Sequence, residues 1–157
     1  VTEMKRWLLL IAVFLLTACA SNEYDGAPLT IAVIGDMPNI DNEHITFVPS
    51  SLQQWTVDAD AVMITKSAFD EASDDRYIDT YKNSDVPIIF FDSPKRHFPF
   101  VNEGLTYSEE HREALIDGSH TTVYSFDKDT ATEYASYFFV EDDEQAMYAR
   151  LFEYVAK

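Results

Sequence analysis

Residues Leu29 to Ile34 read Leu-Thr-Ile-Ala-Val-Ile, almost without a polar interruption, and end in Gly35-Asp36. A strand with one wet face alternates apolar and polar residues. A continuous run suits a strand buried on both faces, as in sheets covered by helices on either side. Four more runs repeat the pattern: Ile45–Val48, Ala61–Thr65, Val86–Phe91 and Thr121–Phe126. Tyr137–Val140 adds a sixth at an edge or in a hairpin. Between them lie segments with helix-start signals. Ser50 with Gln53, Ser67 with Asp70, Thr106 with Glu109 and Asp142 with Gln145 each place a capping hydroxyl or carboxylate three residues before a polar partner. The spacing predicts a short helix from Ser50 through Trp55, a longer one from Ser67 to about Lys82, one through Ala114-Leu115-Ile116 that stops at Gly118, and a last one carrying Met147, Leu151, Phe152 and Val155.

Short buried strands alternating with helices predict an α/β domain: a single, mainly parallel sheet of about five strands flanked by helices. Only about ten residues separate the first two runs, short for a full crossover helix. The stretch Ala59 to Asp92, strand then helix then strand, resembles half of a type I periplasmic binding protein or a flavodoxin-like domain. The resemblance spans this one unit and implies a Rossmann-like or flavodoxin-like fold class, without a function.

The amino terminus points to a compartment. Lys5 and Arg6 precede an unbroken apolar run from Trp7 to Leu16, then Thr17, Ala18 and Cys19. A short positive region, a short apolar region and small residues form the secretory signal pattern. The run is well under the roughly 20 residues a spanning helix needs. Leu16-Thr17-Ala18-Cys19 resembles the bacterial lipobox. That resemblance implies a diacylglycerol on the Cys19 thiol and cleavage just before it. Residues 1–18 are then a lipoprotein signal peptide, 19–27 a lipidated tether and 28–157 the α/β domain. The expected location is the extracytoplasmic face of a membrane, held by the lipid on Cys19. Ala20 after the cysteine resembles the outer-membrane sorting rule, for a host that has two membranes. Cys19 is the only cysteine, so no disulfide can form within the chain and core packing must hold the fold.

The formal charge is −17, and removing residues 1–18 leaves 9 basic against 27 acidic residues, or −18. Such a surface repels nucleic acid and anionic headgroups, so no nucleic-acid partner is expected. With 46% hydrophobic and 14% aromatic residues the chain still has the means to build a core.

Ligands of open α/β sheets bind beyond the carboxyl ends of the strands. Those ends here carry Asp36, Lys66, Asp92 and Asp127, which makes Asp36, Lys66 and Asp92 candidate ligand-binding residues. Carboxylates gathered at one rim could hold Mg²⁺ or Ca²⁺; equally, aspartates start turns. Asp127-Lys128-Asp129 is similar to the nucleophile motif of haloacid-dehalogenase phosphatases, but Ala131 stands where that motif has threonine. Lys95-Arg96-His97 is the one dense basic patch, and Arg96 and His97 are further candidates for an anionic ligand or partner. The alternative is a loop whose charges pair locally while Phe98 and Phe100 enter the core. The four histidines have no zinc-binding spacing, and four glycines leave no phosphate loop. No catalytic residue, metal ligand or cofactor is therefore assigned. Two functions follow: a non-enzymatic accessory of the cell envelope that binds a small ligand or an envelope protein, or a metal-assisted hydrolase using Asp36, Asp92 and Asp127.

Overall fold

A computed structural model describes residues 22–55, 58–109 and 111–157. Cys19 and the signal segment lie outside the described residues. Six strands form one sheet: β1 (Leu29–Ile34), β2 (Ile45–Pro49), β3 (Ala61–Ile64), β4 (Ile88–Phe90), β5 (Thr121–Asp127) and β6 (Thr132–Phe138). Their spatial order is β2-β1-β3-β4-β5-β6. The first four are mutually parallel; β5 runs antiparallel to β4, and β6 antiparallel to β5. The sheet is thus mixed, and the expected mainly parallel, five-strand Rossmann-like arrangement is corrected. The physical reason lies in the connection from β4 to β5. A parallel crossover must carry the chain back along the whole sheet, usually on a helix. Among the described residues of this connection the only α-helix is a single turn, Phe98–Val101, which advances about 6 Å at 1.5 Å per residue. The chain leaves β4 and comes back to the same end of it, where the Ser93 N–H donates to the His120 carbonyl at 2.7 Å and Lys95 bridges Ile116. The next strand can only run downwards.

Continuous apolar strands do mark burial on both faces. Ile31 and Val33 point to one side with Met63, Ile89 and Val123. Ala32 and Ile34 point to the other with Val62, Ile64, Phe90 and Tyr124. The first face is covered by the longest helix, Glu144–Val155, through Met147, Tyr148, Leu151 and Phe152. The second is covered by short pieces that supply Phe69, Tyr77, Tyr81 and Phe100. We label the α-helices α1 (Phe69–Ala72), α2 (Ile78–Lys82), α3 (Phe98–Val101) and α4 (Glu144–Val155). Among the described residues no helix is long and apolar enough to cross a membrane.

Several helix expectations fail for a shared reason: short polar side chains take backbone groups that a helix would have used. The predicted helix from Ser67 to Lys82 breaks into α1, α2 and 3-10 turns at Lys66–Ala68 and Asp75–Tyr77. At the break, Ser73 donates its hydroxyl to the Asp70 carbonyl and Asp74 accepts from the Arg76 N–H. The Ser50 segment forms a tight turn closed by Ser51 and Gln54. Thr106 does donate to Glu109, at 2.8 Å, but only a 3-10 turn at Glu113–Leu115 follows. The link from β1 to β2 carries no helix, consistent with its length. Tyr24, within the stretch read as tether, is 3% exposed and packs edge-on against Phe152 of α4.

Candidate functional site

The carboxyl ends of β1, β3 and β4 and the amino end of β5 meet at one rim. Gly35 turns the chain out of β1 with φ +101°, a region open to glycine at no steric cost. A side chain there has no room, since a Cβ would lie 2.4 Å from Thr65 Oγ1 and 2.8 Å from Ser67 Oγ. Those two hydroxyls hold the turn. The Asp36 N–H donates to Ser67 Oγ at 2.9 Å, and Thr65 Oγ1 donates to the Asp36 carbonyl at 2.9 Å. The backbone at Asp36 is therefore tied to the segment that follows β3, which fixes it beside Lys66.

Across the rim, Asp92 follows β4 with φ +57°, an uncommon conformation for a residue with a Cβ. Its N–H points to Thr121 Oγ1 at 3.4 Å, and its carboxylate lies 3.7 Å from His120 Nε2. His120 is itself fixed: its Nδ1 is 2.8 Å from Thr121 Oγ1, and its ring stands edge-on to Phe91 and Tyr148. Asp36, Lys66 and Asp92, three residues selected from the sequence, line one open cleft of about 150 Å³ with Met37, Pro38 and Phe91. Ligand pockets for drug-sized molecules run from about 300 Å³, so this cleft suits one side chain or a ligand of a few atoms. It offers two carboxylates, one ammonium and an apolar floor.

The remaining candidates go elsewhere. Asp127 is at the opposite end of the sheet, because β5 is antiparallel. Its carboxylate accepts from the N–H groups of Asp129 and Thr130 at 2.8 and 3.2 Å and so builds the hairpin turn. These bonds hold its carboxyl below the usual carboxylate range. The neighbouring Lys128 pairs with Asp85 at the foot of β4, at 2.8 Å. Arg96 and His97 do not line the cleft. Arg96 donates to Asp117 at 2.8 Å and lies over the Tyr137 ring. His97 is 5% exposed, stacks on Phe98 and sits 3.0 Å from the Tyr137 hydroxyl through Nδ1. Lys95 donates to the Tyr107 carbonyl and Phe100 stacks on Phe90 in the core, so the basic patch is a locally satisfied loop.

His120 is the rim residue that sequence reasoning missed. Its signal was visible as the residue before an apolar strand, but a parallel β5 would have put it at the wrong end. The hydroxyls around the cleft are already engaged: Thr121 is fully buried, and Ser67 accepts from Asp36. Among the described residues no group of three His, Cys, Asp or Glu side chains could hold a metal ion. The arrangement offers charge and shape for recognition. Larger hollows lie elsewhere among the described residues, of about 400 Å³ beside Asp79, Lys82 and Glu103, about 340 Å³ beside Asp25, Asp41 and Glu43, and about 230 Å³ beside Asp74, Asp75 and Thr106. None of them is lined by the carboxyl ends of several strands. Compared with known proteins, the chain matches no family model, no curated protein and no solved structure.

Proposed function

We propose that this chain is a lipid-anchored protein of the extracytoplasmic face of a membrane and that its domain is a non-enzymatic binding accessory of the cell envelope. The observation that carries the reading is the signal segment ending in Leu16-Thr17-Ala18-Cys19, with Cys19 the only thiol in 157 residues. One acyl chain binds a membrane only marginally and two hold firmly, a condition the diacylglycerol meets. For the binding role, the support is the rim cleft, where Asp36, Asp92 and Lys66 flank an apolar floor. The hydrolase alternative has lost its third carboxylate, since Asp127 lies at the far end of the sheet and serves a turn.

Labelled palmitate is expected to enter the wild-type protein and not Cys19→Ser; label in the mutant would overturn the anchor. For the cleft, Asp36→Asn combined with Asp92→Asn should reduce covalent capture of envelope neighbours by a crosslinker placed at Met37. Capture at the wild-type level would remove the cleft from the reading.

A further inference from the structure

We propose that the free edge of β6 binds an extended, basic segment of a partner protein, which adds to the sheet as a seventh strand. The proposal goes beyond the anchor and the rim cleft and depends on neither.

Three observations converge on this edge. First, it is unguarded. Among the described residues β6 pairs with β5 alone, along all seven of its residues. An edge strand presents unpaired N–H and C=O groups that template another strand, and proteins usually blunt it with lysine, proline or a very short strand. The opposite edge follows that rule: β2 has five residues and ends in Pro49. β6 has no lysine, arginine or proline. Second, apolar groups are exposed here. Tyr134 lies on the strand, Phe139 and Val140 continue it, and Tyr154 touches Phe138; all four are large hydrophobics that stay exposed. Grouped exposure of this kind marks interaction surfaces more than scattered exposure does. The extension past β6 is also held in place, with Arg150 donating to the Phe139 carbonyl at 2.9 Å. Third, the edge is flanked by acid. Glu133 lies on the strand and Glu141-Asp142-Asp143-Glu144 follow it, while the two arginines that reach the strand are already engaged, Arg96 with Asp117 and Arg150 with the Phe139 carbonyl.

The charge decides the occupant. A second copy would bring another −17 chain and the same acids to face their own kind. A strand carrying lysine or arginine on alternate positions meets the acids instead, while main-chain bonds give affinity and its apolar side chains cover Tyr134 and Phe139.

The probe is a short peptide of alternating lysine and valine, mixed with the full chain in neutral detergent, with backbone amide exchange as the readout. Alternating glutamate–valine and a lysine–valine peptide with a central proline serve as comparators. The lysine–valine peptide should slow exchange in Thr132–Val140, and neither comparator should. Reversing Glu141→Lys with Asp142→Lys should weaken its binding by about tenfold or more, roughly 1.4 kcal/mol. Reversing Asp25 and Glu43 at the other end of the molecule should change binding by less than about twofold, since exposed charges beyond a screening length act weakly. Equal loss in both double variants would reduce the effect to net charge and overturn the proposal. So would protection centred on β2. Protection of β6 without peptide, together with a dimer mass in solution, would assign the edge to a second copy and overturn it as well.

Discussion

Gly35 shows how much one position can decide at the rim. Its φ of +101° and the 2.4 Å approach to Thr65 Oγ1 leave no place for a methyl group. Gly35→Ala should lower stability by more than about 1 kcal/mol, the ordinary ceiling for glycine's entropic cost, because the native conformation is itself incompatible with a side chain. Urea unfolding checks this, and an unchanged midpoint would refute the tight packing of Gly35 on Thr65 and Ser67. His97 carries a second residue-scale consequence. Burial lowers its affinity for a proton below the usual histidine range; Glu133 pulls it back and Arg96 pushes it further down. In the unfolded chain it titrates near 6.5. Below that pH the unfolded state binds more protons than the folded one, so stability falls as the pH drops through the interval. His97→Gln, which can still hydrogen-bond the Tyr137 hydroxyl, should flatten the loss of stability between about pH 7.5 and about pH 5.5. A loss as steep as in the wild type would show that other groups control it.

At the scale of elements, caps and breaks matter more than apolar spacing. The start of α4 is legible in the sequence to within one residue. The acidic run Glu141–Glu144 marks it, but the cap is Asp143, accepting from the Gln145 N–H at 2.8 Å, and not Asp142. Asp143→Ala should cost about 1 kcal/mol, while Asp142→Ala should be close to neutral. Thermal melts of the two variants separate them, and equal losses would mean that a general helix-dipole effect, not a cap, is at work. The segment from Ser67 to Lys82 teaches the opposite lesson. Its apolar spacing is helical, and Phe69, Ala72, Tyr77 and Tyr81 do enter one core. Ser73 and Asp74 nevertheless satisfy local backbone groups with their side chains, and the helix divides there.

Taken as a whole, the molecule has two unlike ends. One end presents the cleft of Asp36, Lys66 and Asp92; the other carries Asp25, Asp41, Glu43 and Asp60 around the feet of β1, β2 and β3. Tyr24 is fixed at the second end, where Asn42 donates to its carbonyl at 2.9 Å. Under the proposed anchor, four residues separate Cys19 from Tyr24, a reach of about 15 Å even when fully extended. The chain reaches Tyr24 past Asn22, which donates to Asp143 at 3.2 Å at the start of α4, and the next turn of that helix sets Tyr148 against Phe91 and His120 of the rim. Melting of the domain should not shift with Mg²⁺, Ca²⁺ or EDTA, and a clear upward shift with either ion would revive metal binding at the rim.

The sequence by itself determined which segments are buried. The apolar runs became strands, their alternate residues divided between two cores, and Asp36, Lys66 and Asp92 were legible as strand-end residues that share a rim. Such features depend on local period and on the chain leaving a strand, and both are written in neighbouring residues. Only the tertiary structure decided the direction of β5. That choice rests on a contact between distant residues, where the chain after β4 closes back on His120 before it can cross the sheet. Reversing one strand exchanges its two ends. It brought His120 to Asp92 and carried Asp127 away from them, and no local pattern in Thr121–Asp127 records which end meets which neighbour.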